Sequence, residues 1–245
     1  MARYYIGTSG WHYDFWRGRF YPEKLPKAKW LEFYTRHFFT LELNNTFYRL
    51  PSKEAFFKWY DSSPPDFTFA VKVSRFITHI KRLKNCDDEV NNFMSRVAIL
   101  KEKLGPILYQ LPPGLRRDDD RLISFLSILP PGLKHVIEFR HQSWLTEDVF
   151  DILRRHQAGF CVFNMPSLTS PLVATADFAY IRFHGSDSLY SSCYSDEEMA
   201  DWAKKIAQLA ENLESVYIYF NNDIAGYALQ NAETIRNYLE KKEDN

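Results

Sequence analysis

The chain has 245 residues, and its 31 basic residues balance 31 acidic ones. A formal net charge of zero excludes a bulk polycation that holds nucleic acid or membrane by charge alone. With 45% hydrophobic and 25% charged residues the composition is globular, and the length allows a full core without disulfides or metals.

Aromatic residues reach 17%, more than a plain core requires, because Tyr and Trp carry polar tips that want partners. The three cysteines, Cys86, Cys161 and Cys193, form no CxxC pair and no even-numbered framework, which favours a reducing compartment. The N-terminus lacks the apolar core of a signal peptide, and no apolar run reaches about 18 residues. A soluble cytoplasmic protein is the expectation.

In chain order, eight short apolar or aromatic runs read as strands: Tyr4–Gly7, Thr40–Leu43, Thr68–Val73, Pro106–Gln110, His135–Phe139, Phe160–Phe163, Phe178–Phe183 and Val216–Phe220. Helical patterns lie between them, over Lys27–His37, Ser52–Asp61, Asp119–Leu129, Glu147–His156 and Ala228–Lys241. After the third strand, acidic Asp87-Asp88-Glu89 opens a pattern in which Val90, Phe93, Val97, Leu100 and Leu104 recur at helical spacing. Gly105-Pro106 reads as its C-cap and stop. Ser195 and Glu198 form a capping-box pattern before a helix with Met199, Trp202, Ile206, Leu209 and Leu213 on its apolar face. Met165–Asp177, with two prolines and little periodicity, reads as a loop or short turn in place of the sixth helix.

Regular strand–helix alternation implies parallel strands joined by right-handed crossovers. Eight such units in about 250 residues predict an α/β fold, a single (β/α)8 TIM-barrel-like domain over residues 1–245 with an irregular sixth helix. No GxGxxG or GxxxxGK[ST] run supports the rival, a nucleotide-binding doubly wound sheet.

Barrel enzymes place their chemistry at the C-terminal strand ends. Here those ends carry Trp11; Glu42, Asn44 and Tyr48; Lys72, Arg75 and His79; Gln110; Glu138, Arg140, His141 and Trp144; Asn164; Arg182 and His184; and Asn221, Asn222 and Asp223. Strand alternation puts Glu42 with Asn44, Glu138 with Arg140, and Arg182 with His184 on one face. Their apolar neighbours suit the helix layer, so the polar set is expected to face the barrel interior or mouth. Buried charges need partners, and Glu42, Glu138, Lys72, Arg140 and Arg182 together leave an excess of cations. That excess fits a phosphorylated or otherwise anionic ligand.

The same segments carry a family resemblance. IGTSGWHYDFWRGRFYP, ELNNTFYRLP, FAVKVSRFITH, ILYQLPP, EFRHQSW, YIRFHG and YIYFNND occur in this order from Ile6 to about Ala232. Jointly they resemble the motifs of the DUF72 (YecE-like) family. The resemblance implies a TIM-barrel-like fold and shared mouth positions, and no reaction. Asn164, where the family pattern expects Asp, and Cys193, where a small residue is usual, depart from it.

Three functional classes fit these residues. In the first, an enzyme, a hydrolase or lyase, holds its anionic substrate with Lys72, Arg140 and Arg182, and Glu138, Glu42 or His184 moves the proton. A divalent metal held by Glu42, Glu138, His184 and Asp223 is a variant of this reading, without a supporting ligand motif. In the second, the basic run Lys72, Arg75, Lys81, Arg82 and Lys84, with His79 within it and Trp11, Trp16, Tyr48 and Trp144 for stacking, binds or processes nucleic acid. In the third, the aromatic surplus marks a non-catalytic binding or assembly surface. The sequence leaves the oligomeric state open.

Overall fold

The β-branched and aromatic runs do form strands, and the amphipathic stretches between them form helices. The computed structural model of the protein describes residues 2–240. In chain order the elements are β1 (Arg3–Thr8), α1 (Trp30–Tyr34), β2 (Thr40–Leu43), α2 (Asn45–Tyr48), α3 (Lys53–Asp61), β3 (Thr68–Lys72), α4 (Asp87–Val97), β4 (Leu104–Gln110), α5 (Asp119–Ser127), β5 (His135–Glu138), α6 (Glu147–Arg155), β6 (Gly159–Asn164), β7 (Phe178–Phe183), α7 (Asp196–Leu209), β8 (Ser215–Phe220) and α8 (Tyr227–Glu240). The strands make one eight-stranded sheet in the order β1-β8-β7-β6-β5-β4-β3-β2, and the registers described within it are parallel. This is the (β/α)8, TIM-barrel-like arrangement that the alternation predicts. No helix separates β6 from β7, as the two prolines and missing periodicity there imply.

The described residues cluster into two compact units. The first holds residues 2–41, 162–173 and 177–240; the second holds 42–161 and 174–176. In the first unit, outward-facing Ile6, Ile181, Phe183, Ile218 and Phe220 are buried, and Met199, Ala203 and Ile206 of α7 with Ala228, Ala232 and Ile235 of α8 are buried too. The Ser195 side chain accepts from the Glu198 amide, and Glu198 accepts from the Ser195 amide, so the predicted capping box starts α7. Much of the aromatic surplus lies between β1 and α1, where Tyr21 stacks on Trp30 at 4.5 Å and Phe20 meets Trp16, Phe33 and Tyr34 edge-on.

Gly7 of β1 is needed for close approach. A Cβ there would run into the Thr40 carbonyl oxygen, so the bare backbone lets β1 lie against the start of β2. The Tyr34 hydroxyl sits in the same place, donating to the Thr40 carbonyl and accepting from the Thr8 amide at 3.0 Å.

In the second unit the structure corrects one expectation. Gly105 does not cap a helix. The α4 helix ends at Val97, a 3-10 stretch carries on to Lys103, and Lys101 takes the left-handed turn at φ 48°. Leu104, Gly105 and Pro106 are the first residues of β4. Gly105 is there because a Cβ would meet Thr68 Cγ2 at 2.5 Å and the Phe69 carbonyl oxygen at 3.2 Å, where the β3–β4 register shifts. The predicted helix over Lys27–His37 is also shorter: a 3-10 turn over Lys27–Lys29 followed by α1.

Candidate active site

In the second unit the site grows from the ends of β3, β4 and β5. Lys72 pairs in register with Leu108, and Gln110 with Glu138, so alternation puts Lys72, Gln110 and Glu138 on the inner face. Glu138 is fully buried, and two residues on, the Arg140 guanidinium grips its Oε1 through both Nε and Nη2. The Arg140 side chain is only 6% exposed, so this is a buried pair in which two guanidinium nitrogens share one carboxylate oxygen. From β6, the Cys161 thiol donates to the other carboxylate oxygen at 3.7 Å. Sequence reasoning passed over Cys161 because a lone buried Cys reads as a small hydrophobe.

Lys72 is also buried, and its ammonium lies 4.3 Å from the centroid of the Phe47 ring. The Thr46 hydroxyl reaches the Lys72 carbonyl at 2.5 Å and so ties α2 to the end of β3. Phe47 meets His79 edge-on at 5.0 Å, and His79 sits in the π-helical turn Phe76–Ile80. Burial lowers the His79 pKa, and the charges of Lys72 and Arg75 lower it further against the opposing pull of Glu138. Asn44, at the end of β2, keeps a buried side-chain oxygen without a hydrogen-bond partner. Glu42 is fully buried on the same strand.

Three other expected ligand contacts sit differently. The Trp144 ring is buried flat against Phe139 at 4.7 Å, and its N–H donates to the Leu115 carbonyl. The His141 ring caps the turn that follows it, accepting from the Ser143 amide. Tyr48 lies 75% exposed. From the basic run, Lys81 pairs with Glu89 at 2.6 Å, and that carboxylate raises its pKa.

In the first unit the strand ends of β1, β8 and β7 lie side by side. Register Thr8↔Phe220 and Phe183↔Phe220 continues one residue further, through the Ser9 amide to the Phe220 carbonyl and the Asn221 amide to the Phe183 carbonyl. Ser9, Asn221 and His184 therefore form a row at the mouth, above Gly7, Tyr219 and Arg182. His184 and Arg182 are fully buried, and the Asn221 amide nitrogen stands 3.2 Å from His184 Nδ1. The Tyr219 hydroxyl meets the Thr40 hydroxyl at 2.6 Å.

Asn222 turns away from this row. Its amide donates to the Ser192 carbonyl and to Asn231 Oδ1, which also accepts from the Tyr194 amide. Asp223 and Trp11 are buried, and Trp11 accepts a hydrogen bond from Tyr21 at its carbonyl. Asn164 accepts from the Tyr194 hydroxyl at 2.6 Å and donates to Thr169. The amide thus serves as a linker at this position, and a carboxylate is not required to hold Tyr194. Burial raises the Cys193 pKa, which disfavours its thiolate. Sequence reasoning placed Ser9 at the end of the first strand without giving it a role and passed over Asn231 and Tyr190, because single small or polar loop residues carry no periodic signal.

Among the described residues no group of three or more His, Cys, Asp or Glu side chains is placed to hold a metal ion, and no helix is long and apolar enough to cross a membrane.

Comparison with known proteins gives a consistent answer. The family model for the protein of unknown function DUF72 matches residues 5–245. The chain is 28% identical to the UPF0759 protein YecE of Escherichia coli K12, over 90% of this chain and 87% of that one. It is 23% identical to the UPF0759 protein YunF of Bacillus subtilis, over 96% and 94%. A crystal structure of a DUF72 family protein from Thermotoga maritima superimposes with a TM-score of 0.89 at 31% identity, covering 97% of this chain and 99% of that one. A more distant likeness, with a TM-score of 0.56 at 16% identity, is to a fusion protein with a xylose isomerase-like TIM barrel, covering 99% of this chain and 44% of that one; it speaks to the fold alone. With the family model matching almost the whole sequence, the chain belongs to the DUF72 family of proteins of unknown function.

Proposed function

We propose that the protein is an enzyme, a hydrolase or lyase, that takes a phosphorylated or carboxylated substrate at the strand ends of its second unit. One observation carries this reading. The His79 proton affinity is lowered first by burial and then by the charges of Lys72 and Arg75 against the pull of Glu138, and Arg140 grips the buried Glu138 carboxylate. Lys72, Arg75 and Arg140 outnumber the carboxylates of Glu42 and Glu138 at these strand ends, which favours an anion. Glu138 is the proton carrier in this reading: its carboxylate is fixed by Arg140, and its charge acts on the His79 imidazole. Glu42 and His184 are the alternative carriers.

Binding and turnover test the proposal separately. Inorganic phosphate, p-nitrophenyl phosphate and citrate are titrated into wild type and Lys72→Met by calorimetry. The expected result is binding of at least one anion, weakened about tenfold or more by the substitution, the worth of one charge-assisted hydrogen bond. Glu138→Gln then retains binding and loses turnover of the bound ester. Failure of all three anions to bind, or equal affinity in Lys72→Met, overturns the reading.

A nucleic-acid ligand is the second reading, favoured by the exposed Tyr48 ring next to Phe47 and the cations. It requires affinity for single strands that falls steeply as salt rises.

A further inference from the structure

We propose that Ser9, Asn221 and His184, in the first unit, form a recognition site for a polyhydroxylated ligand such as a sugar or cyclitol, and that Tyr190 covers it. The inference does not depend on the anion site.

Three observations support it. First, Ser9 Oγ is fully buried and has no hydrogen-bond partner in the protein. Burying a hydroxyl unpaired is unfavourable, so an unpaired one at a strand end points to a missing partner. The neighbouring groups are not idle in this way: the Ser9 carbonyl accepts from the Tyr13 hydroxyl at 2.6 Å, and the Thr8 hydroxyl donates to the Gly10 carbonyl at 2.7 Å.

Second, the row has the donor and acceptor mix that hydroxyl groups match. The Asn221 N–H faces His184 Nδ1, so the neutral ring carries its proton on Nε2. Asn221 keeps a carbonyl oxygen and a second N–H, and it is only partly buried. The Ser9 hydroxyl both donates and accepts. A sulfate is acceptor-only and an ammonium is donor-only, whereas vicinal hydroxyls are both.

Third, the cover is held in a costly conformation. Tyr190 has φ 63°, a left-handed backbone that a bulky residue rarely takes. Its amide bonds the His184 carbonyl at 2.6 Å, its carbonyl accepts from the Ile224 amide at 3.3 Å, and its ring meets His184 edge-on at 5.6 Å. Gly185, at φ 110°, supplies the sharp turn where this segment leaves β7. The ring gives an apolar wall of the kind on which sugar C–H faces pack. Ligand entry requires the segment from Gly185 to Ser192 to swing away, and Tyr190 then closes on the bound molecule.

Amide-resolved NMR titration of the full chain with D-glucose, D-xylose and myo-inositol tests this, with sodium sulfate as the anionic control. The expected result is saturable shifts at Ser9, His184, Tyr190 and Asn221 with at least one polyol, and none there with sulfate. Ser9→Ala then weakens that polyol about tenfold. Its fold is checked by the unperturbed remainder of the spectrum, and Asn221→Ser provides a second variant with the same expected loss. The proposal is overturned if no polyol shifts these residues, if sulfate does so in their place, or if both variants bind as tightly as wild type.

Discussion

The Arg140 guanidinium holds the Glu138 carboxylate through two nitrogens from two positions further along the chain, and both side chains are almost wholly withdrawn from solvent. Two charges removed from water depend on each other. Arg140→Met removes the cation that grips the buried Glu138 carboxylate and is expected to cost about 3–5 kcal/mol. The double variant Glu138→Gln with Arg140→Met recovers part of that loss. Urea unfolding of the two single variants and the double variant measures the coupling, and simple additivity sinks it.

Burial lowers the His79 pKa most, and the charge of Lys72 lowers it further. Replacing Lys72 by Met removes the largest nearby like charge, so the His79 pKa moves back up toward the ordinary value of about 6.5. Burial still acts on the ring, so the return is partial. Folding linkage has a matching sign. A histidine whose folded-state pKa is lowered binds fewer protons than the unfolded chain, so its contribution is full above about 6.5 and is lost as pH falls below it. NMR titration of the ring in both proteins checks the shift; an unchanged pKa in Lys72→Met contradicts it.

Gly7 stands where β1 touches β2. Gly7→Ala pushes a methyl group into the Thr40 carbonyl oxygen and crowds the Tyr34 hydroxyl at 3.1 Å. Overpacking of this kind costs about 1–3 kcal/mol. A lowered melting temperature, without change in anion affinity at the second unit, is the expected outcome. An unaltered melting temperature shows that the strands separate freely there.

The fold was highly legible because its signals are local. Strand-length apolar runs, the Ser195–Glu198 capping box and the unpatterned Met165–Asp177 segment each announce themselves within a dozen residues. Gly105 misled for a physical reason. Glycine before proline after a helical pattern reads as a C-cap, yet here the missing side chain makes room for a neighbouring strand, which no local pattern reveals. The site was half legible. Glu138 with Arg140, and Arg182 with His184, lie two apart, and strand alternation alone puts each pair on one face. Trp144 and His141 look like ligand contacts by position, and only their partners, the Leu115 carbonyl and the Ser143 amide, reveal what they hold.

What the amino-acid order determined by itself is the number and succession of strands, the starts of the helices and the polarity of the strand ends. Each depends on propensity and periodicity acting over a few bonds. The tertiary structure decided which polar ends become neighbours. Ser9, Asn221 and His184 share a row because β1, β8 and β7 are adjacent in the sheet, although they lie far apart along the chain. It also decided which buried polar atoms are left unmatched. The Ser9 hydroxyl looks like any other serine until every donor and acceptor around it is placed, because hydrogen bonding is satisfied in space and not in sequence.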